Sequence, residues 1–288
     1  MQRLWRVSAA LLATAALIGL PAVASAGTYT ATQNTEWDFS GWQPGTVTAG
    51  FFPCVPTGQG TPCGTLSTPH PLALVGAGAA AANGGGFYEW DAPAGVSLVS
   101  GTIALDWKFA DPGTKVVVFT KAAGQQFSQW RTGSGTGSAH WAIPAGTVSL
   151  VVEMVAANAV TYPTPIVNRV NISQLSVSLS DASQASLTVT TLNNGVYPDN
   201  GPVCVTATAA DAGSGVDSIA LLDDSGAPLN TGYAIPSSTF QGATSSTLRL
   251  CAAPHALTDG QHTLHLVETN LGGVTTTRSV PVTVVPAS

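Results

Sequence analysis

The residues best suited to chemistry in this chain are aromatic. Gln129-Trp130-Arg131 and His140-Trp141 bracket Thr132–Ala139, a glycine- and serine-rich segment with the composition of a hairpin tip. If the flanks pair as strands, Trp130 and Trp141 meet across the ladder, with Arg131 and His140 on the opposite face. Two flat rings can stack on the C–H faces of a sugar, and polar neighbours can fix its orientation. Trp42, between Ser40-Gly41 and Gln43-Pro44-Gly45, is the other tryptophan placed to reach a surface loop. The competing expectation is that these indoles pack in the core, the usual fate of large aromatics.

Hydrolytic chemistry has a thinner basis. A glycosidase needs two carboxylates flanking the scissile bond. Beyond the N-terminal segment the glutamates are Glu36, Glu89, Glu153 and Glu268. Glu36-x-Asp38 and Glu89-x-Asp91 each set two acids on one strand face, because side chains alternate along a strand. Glu153 lies in the apolar run Ser149–Val155, where a period of two turns it outward, opposite Leu150, Val152 and Met154. A cleft holding two of Glu36, Asp38, Glu89, Asp91 and Glu153 about 5–10 Å apart would favour a secreted hydrolase. The sequence is otherwise that of a non-enzyme. It has no Gly-x-Ser-x-Gly elbow, and Gly84-Gly85-Gly86 lacks the helix and lysine that follow a phosphate loop. His262 and His265, three apart on a strand, face opposite sides. No metal or cofactor is expected.

Strands must position these groups. In Thr102–Phe109, Ile103, Leu105, Trp107 and Phe109 share one face, the period of a half-buried strand. Asp111-Pro112-Gly113 turns the chain into the valine-rich Lys115–Thr120; Thr147–Val155 and Val170–Leu179 read as further strands. Ala73–Ala82 has helical composition for a turn or two, but Gly76 and Gly78 interrupt it. Short strands between Gly/Pro turns predict an all-β chain built of antiparallel sandwiches. Trp37, Trp42, Trp90, Trp107, Trp130 and Trp141 all precede Ser180 and no tryptophan follows it, so the character changes there. The expected organisation is a leader over 1–26, one sandwich over 27–181 and a second over 182–288.

The leader is expected because Arg3 and Arg6 precede an apolar run from Val7 to Leu20 and Ala24-Ser25-Ala26 offers a signal-peptidase site. That run is short for a membrane span, and no second one follows. Without Arg3 and Arg6 the chain has seven basic and fifteen acidic residues, scattered with no basic stripe. This argues against nucleic acid and anionic lipid as partners. Cys54, Cys63, Cys204 and Cys251 form an even set in a chain expected outside the cell, and four cysteines allow three pairings. Cys54–Cys63 with Cys204–Cys251 keeps each bond inside one sandwich. The spacing does not suit zinc.

The second segment resembles the Ig-like domains of secreted and surface bacterial proteins. The residues that carry the resemblance are Ala210-Asp211-Ala212-Gly213-Ser214-Gly215-Val216, Leu257-Thr258-Asp259-Gly260-Gln261-His262-Thr263-Leu264, and Glu268-Thr269-Asn270-Leu271-Gly272-Gly273. Gly213 and Gly215 suit a tight loop with positive φ, and Asp259-Gly260 suits a hairpin turn. Some related repeats bind calcium at such aspartates; here Asn270 stands where the pattern has Asp, and Gly273 where Asn is common. The first segment resembles, by pattern rather than motif, the jelly-roll or lectin-like sandwiches that precede such modules. The resemblance implies modules used as spacers and adhesive units. The expectation is a secreted binding protein whose partner is an extracellular glycan or cell-wall polymer, with Trp130 and Trp141 as the platform. An adhesive protein that contacts a surface protein is the alternative.

Overall fold

A computed structural model describes residues 27–34, 41–46, 50–54, 72–162 and 168–287. The expected leader, Glu36, Trp37, Asp38, Cys63 and His70 lie outside the described residues. The strands up to Asp181 are β1 (Gly27–Asn34), β2 (Trp42–Thr46), β3 (Phe51–Cys54), β4 (Leu72–Gly76), β5 (Gly78–Ala80), β6 (Gly84–Asp91) and β7 (Val96–Lys108). They continue with β8 (Thr114–Ala122), β9 (Ser128–Ser134), β10 (Thr136–Ile143), β11 (Thr147–Ala156), β12 (Val160–Tyr162) and β13 (Asn168–Asp181). After them come β14 (Ser186–Thr191), β15 (Val196–Pro198), β16 (Val203–Ala210), β17 (Val216–Leu222), β18 (Pro228–Tyr233), β19 (Ser245–Ala252), β20 (Gly260–Asn270) and β21 (Thr275–Val285). The chain is all-β, and the described residues contain no helix long and apolar enough to cross a membrane.

Two sheets make the first sandwich. One runs β10-β7-β13-β4-β3, with β1 also on β13; the other runs β2-β6-β11-β8-β9. The period of two decides what lies between them. Ile103 and Leu105 on β7, Leu150, Val152 and Met154 on β11, and Val116 and Val118 on β8 are buried in one core with Tyr88 and Trp90 of β6. Each such side chain contributes about 1.5–3 kcal/mol through removal from water. The alanine-rich stretch at 73–82 forms β4 and β5 rather than helix. Leu72 and Leu74 enter the core, while Ala73 and Val75 on the other face are covered by Phe52 and Cys54. A strand buried on both faces needs no alternation of polar residues, so its sequence carries no period.

The second sandwich packs the sheet β14-β16-β19 on the sheet β15-β21-β20-β17-β18, with β15 parallel to β21. Cys204 and Cys251 are direct cross-strand partners on β16 and β19, 4.1 Å apart at Cα, and they are disulfide-bonded. The bond therefore joins neighbours within one sheet. Cys54 is also disulfide-bonded, while Cys63, its expected partner, lies outside the described residues. Asp259-Gly260 is not a hairpin turn. It ends the crossing from β19 to β20, which belong to different sheets.

The two sandwiches are pinned together. Phe240, from the segment between β18 and β19, is buried in the first core, edge-on to Trp90 with ring centroids 5.4 Å apart. The Tyr29 hydroxyl donates to the Phe240 carbonyl at 2.8 Å. Asp181, the last residue of β13, accepts bonds from the Ser183 amide and hydroxyl, the Ser214 amide and the Asn270 side chain. Gly215 does adopt positive φ, but Gly213 serves a close approach instead: a Cβ there would sit 2.5 Å from the Asp181 carboxylate. The Asn270 amide also donates to Asp211, so its NH2 lies between two carboxylates.

Candidate functional site

The tryptophans expected to form a platform do meet, though not on a hairpin. β9 pairs with β8 and β10 with β7, so the chain passes from one sheet to the other at Gly135, and Trp130 and Trp141 face each other across the sandwich edge. Trp130 and Trp141 are edge-to-face with centroids 6.3 Å apart, and Trp141 lies against Trp107 at 5.7 Å. Gly133 and Gly137 make room for the Trp107 indole, since a Cβ at either would come within 2.7 Å of it. The Arg131 guanidinium covers the Trp130 ring at 4.8 Å from its centroid, a cation–π contact. Both half-buried indoles thus have ring surface engaged by other side chains, which leaves less for a ligand. His140 is exposed beside them. Trp42 departs further from expectation. It is buried on β2, and its indole N–H donates to Gln33 at 2.8 Å, so it reaches no surface loop.

A second aromatic site lies on the outer face of the β2-β6-β11-β8-β9 sheet. Phe87 and Glu89 of β6, Val151 and Glu153 of β11, Phe119 of β8, and Phe127 from the segment after β8 line a depression of about 270 Å³. Register explains their convergence. Phe119, Val151 and Glu89 stand in one row across three strands; Val117, Glu153 and Phe87 stand in the next. Glycines clear the floor. The tip of the Phe87 ring leans over Gly45 of β2, where a Cβ would lie 2.2 Å away, and Glu153 leans over Gly85, where a Cβ would lie 2.4 Å from its Oε1. Glu153 points outward as the alternation predicts, with Leu150, Val152 and Met154 buried on the opposite face.

The two carboxylates have different surroundings. Glu89 accepts a 2.8 Å bond from the Ser149 hydroxyl. Glu153 has no hydrogen bond or ion pair among the described residues, and burial pushes its carboxyl above the usual range. As diagonal neighbours on adjacent strands, their Cβ atoms are about 7 Å apart. Of the lysines on this face of β8, Lys121 is placed over the Phe127 ring at 5.4 Å, and Lys115, diagonal to Glu153, forms no ion pair with it among the described residues. The depression therefore combines aromatic rings, an apolar floor and two carboxylates that form no ion pair among the described residues. Asp91 is exposed at the end of β6.

The histidines of β20 are engaged by other groups. His262 contacts Asp224 through Nδ1 and the Thr258 carbonyl through Nε2; His265 contacts Ser279. Among the described residues no group of three or more His, Cys, Asp or Glu side chains is arranged to hold a metal.

No family model matches the chain, and no curated protein matches it. Among solved structures it is similar to the glycoside hydrolase domain of Endo-D from Streptococcus pneumoniae (10% identity, TM-score 0.28). That match covers 84% of this chain but only 37% of the Endo-D structure. The adhesin domain of Epf from Streptococcus pyogenes is 13% identical over 92% of this chain and 94% of that one, with a TM-score of 0.31. TmCBM61, solved with β-1,4-galactotriose, is 13% identical over 50% of this chain and 92% of its own, with a TM-score of 0.29. Likeness at this level assigns no activity to this chain.

Proposed function

We propose that this is a secreted, non-catalytic glycan-binding protein whose ligand lies across the outer face of the β2-β6-β11-β8-β9 sheet. The observation that carries the reading is the depression itself, with Phe87, Phe119 and Phe127 around Val151 and the two acids. Aromatic faces suit the C–H faces of pyranose rings, and carboxylates suit sugar hydroxyls. The open shape suits a segment of polymer, such as a cell-wall glycan, rather than an enclosed metabolite. The disulfides support a place outside the cell, where such bonds persist. The three-on-five strand order and the parallel β15–β21 pair support an Ig-like reading of the second sandwich, although its disulfide lies within one sheet instead of between sheets. Phe240 would then hold that module as a fixed support behind the binding domain.

The test is sedimentation of the full chain with insoluble polysaccharides and cell-wall fractions, beside a Phe87→Ala/Phe119→Ala variant. Both rings face outward, so the variant keeps the core. Loss of at least tenfold in affinity supports the reading, since each stacking face contributes on the order of 1 kcal/mol or more. Unchanged binding by a folded variant removes the site, and no binding by the wild type favours an adhesive protein without a glycan site.

A secreted hydrolase is the second reading, favoured by one observation. Glu89 and Glu153 stand at diagonal positions on adjacent strands, and burial raises the Glu153 carboxyl. Release of reducing ends from a bound polysaccharide, abolished in Glu153→Gln, would establish it in place of the non-catalytic reading.

A further inference from the structure

Building on the glycan site above, we infer that the depression selects a polysaccharide carrying free amino groups, a hexosamine polymer, over neutral or acidic glycans. Its charge is the first argument. Glu89 and Glu153 lie about 7 Å apart at Cβ on the same face, and neither is in an ion pair among the described residues. An ammonium group between them would reach both carboxylates and give each a charge-assisted hydrogen bond. Uronic acids and sulfated sugars would meet like charge at the same place.

The surroundings sharpen the preference. Phe87, Phe119 and Val151 lower the local dielectric around the two acids, so an approaching cation is attracted more strongly than it would be in water. Burial already disfavours the ionised form of Glu153, and an ammonium partner would offset that penalty, coupling amine binding to ionisation of this residue. Two lysines of β8 share this sheet face: Lys121 is held over Phe127, and Lys115, a diagonal neighbour of Glu153, forms no ion pair with it among the described residues, so a ligand amine has both acids open to it. The aromatic faces then take the apolar side of the sugar rings, and the acids read the amine. A peptide lysine could satisfy the acids, but Phe87 and Phe119, on the strands either side of β11, give a sugar chain laid across the depression the larger contact.

Binding of the full chain to chitosan oligosaccharides and to their fully N-acetylated counterparts tests this at mildly acidic pH. The two ligands share a backbone and differ only in the blocked amine; polygalacturonate and a polylysine peptide complete the set. The free-amine ligand is expected to bind at least tenfold more tightly than the acetylated one. Glu153→Gln and Glu89→Gln should abolish that preference while retaining binding to the acetylated ligand. Asp259→Asn, which removes an exposed acid on the second sandwich, should change nothing. Equal binding of both oligosaccharides overturns the inference and leaves the glycan site standing. A preference that Asp259→Asn reduces as much as Glu153→Gln also overturns it, because general polyelectrolyte attraction then explains it. Tighter binding of polylysine than of either sugar overturns it in favour of a peptide. Failure of every ligand overturns the glycan site as well.

Discussion

Glu268 should make the stability of the second sandwich fall as the pH rises from mildly acidic to neutral. The residue lies on the inward face of β20 with 1% of its surface exposed, and both carboxylate oxygens lack a hydrogen-bond partner among the described residues. Its cross-strand partner, Thr276 of β21, also carries a buried hydroxyl with no hydrogen-bond partner among the described residues. The charged groups that act on it are themselves carboxylates, Asp211 from the β16–β17 connection and Asp181 from the end of β13. Burial first, then these two negative charges, push the Glu268 carboxyl from 4.5 up to about 7. A folded-state value above the unfolded one means that folding takes up a proton between them. The penalty is therefore absent below about pH 4.5, grows as the pH rises, and is complete above about pH 7. Its size is about 3 kcal/mol, or roughly 10–20 °C in melting temperature for a domain of about 100 residues. Glu268→Gln mimics the protonated side chain and removes the penalty. Denaturant unfolding of the full chain should give the two proteins similar stability at about pH 4.5, with the variant more stable by about 3 kcal/mol at about pH 8. Parallel profiles across that range would refute the reasoning, because the carboxyl would then titrate alike in both states.

Three further changes have expected outcomes. Phe240→Ala should cost about 3–5 kcal/mol and, by emptying the joint, split one calorimetric transition into two; a single unshifted transition would show that the sandwiches are coupled elsewhere. Gly133→Ala drives a methyl to 2.4 Å from the Trp107 ring and should destabilise by about 1–3 kcal/mol, with altered indole fluorescence; a neutral effect would contradict the packing around Trp107. His262 presents both ring nitrogens to acceptors, Asp224 and the Thr258 carbonyl, an arrangement that suits the imidazolium. These bonds raise its pKa, so their contribution is complete below the ordinary histidine value and lost as pH rises through the raised one. An NMR titration giving a His262 value at or below that of a free histidine would refute this.

The sequence made the strands of the first sandwich legible wherever one face met water. Val170–Leu179 alternates leucine and valine with serine and lies within β13, and Ile103-Leu105-Trp107 marks the inward face of β7. The alternation also placed Glu153. It failed at β4, whose two covered faces leave an unbroken apolar run. The depression was hard to see for a related reason. Phe119 sits in a valine-rich run that looks apolar on both sides, and Phe87 and Glu89 acquire meaning only when β11 supplies Val151 and Glu153 beside them. One signal was available: a large aromatic residue at an outward position on each of two strands. The Trp130–Trp141 contact was foreseen for the wrong reason. A glycine-rich link between two edge strands has the same composition as a hairpin tip, and nothing local records that its flanks join different sheets.

The central claim concerns which aromatic surface takes a glycan, and an NMR titration of the full chain with chitosan oligosaccharides reads it directly. Backbone amides of Phe87, Glu89, Phe119, Val151 and Glu153 should shift with saturable dependence on ligand, while the indole N–H signals of Trp130 and Trp141 stay in place. Shifts confined to those two indoles would contradict the account and return the site to the sandwich edge.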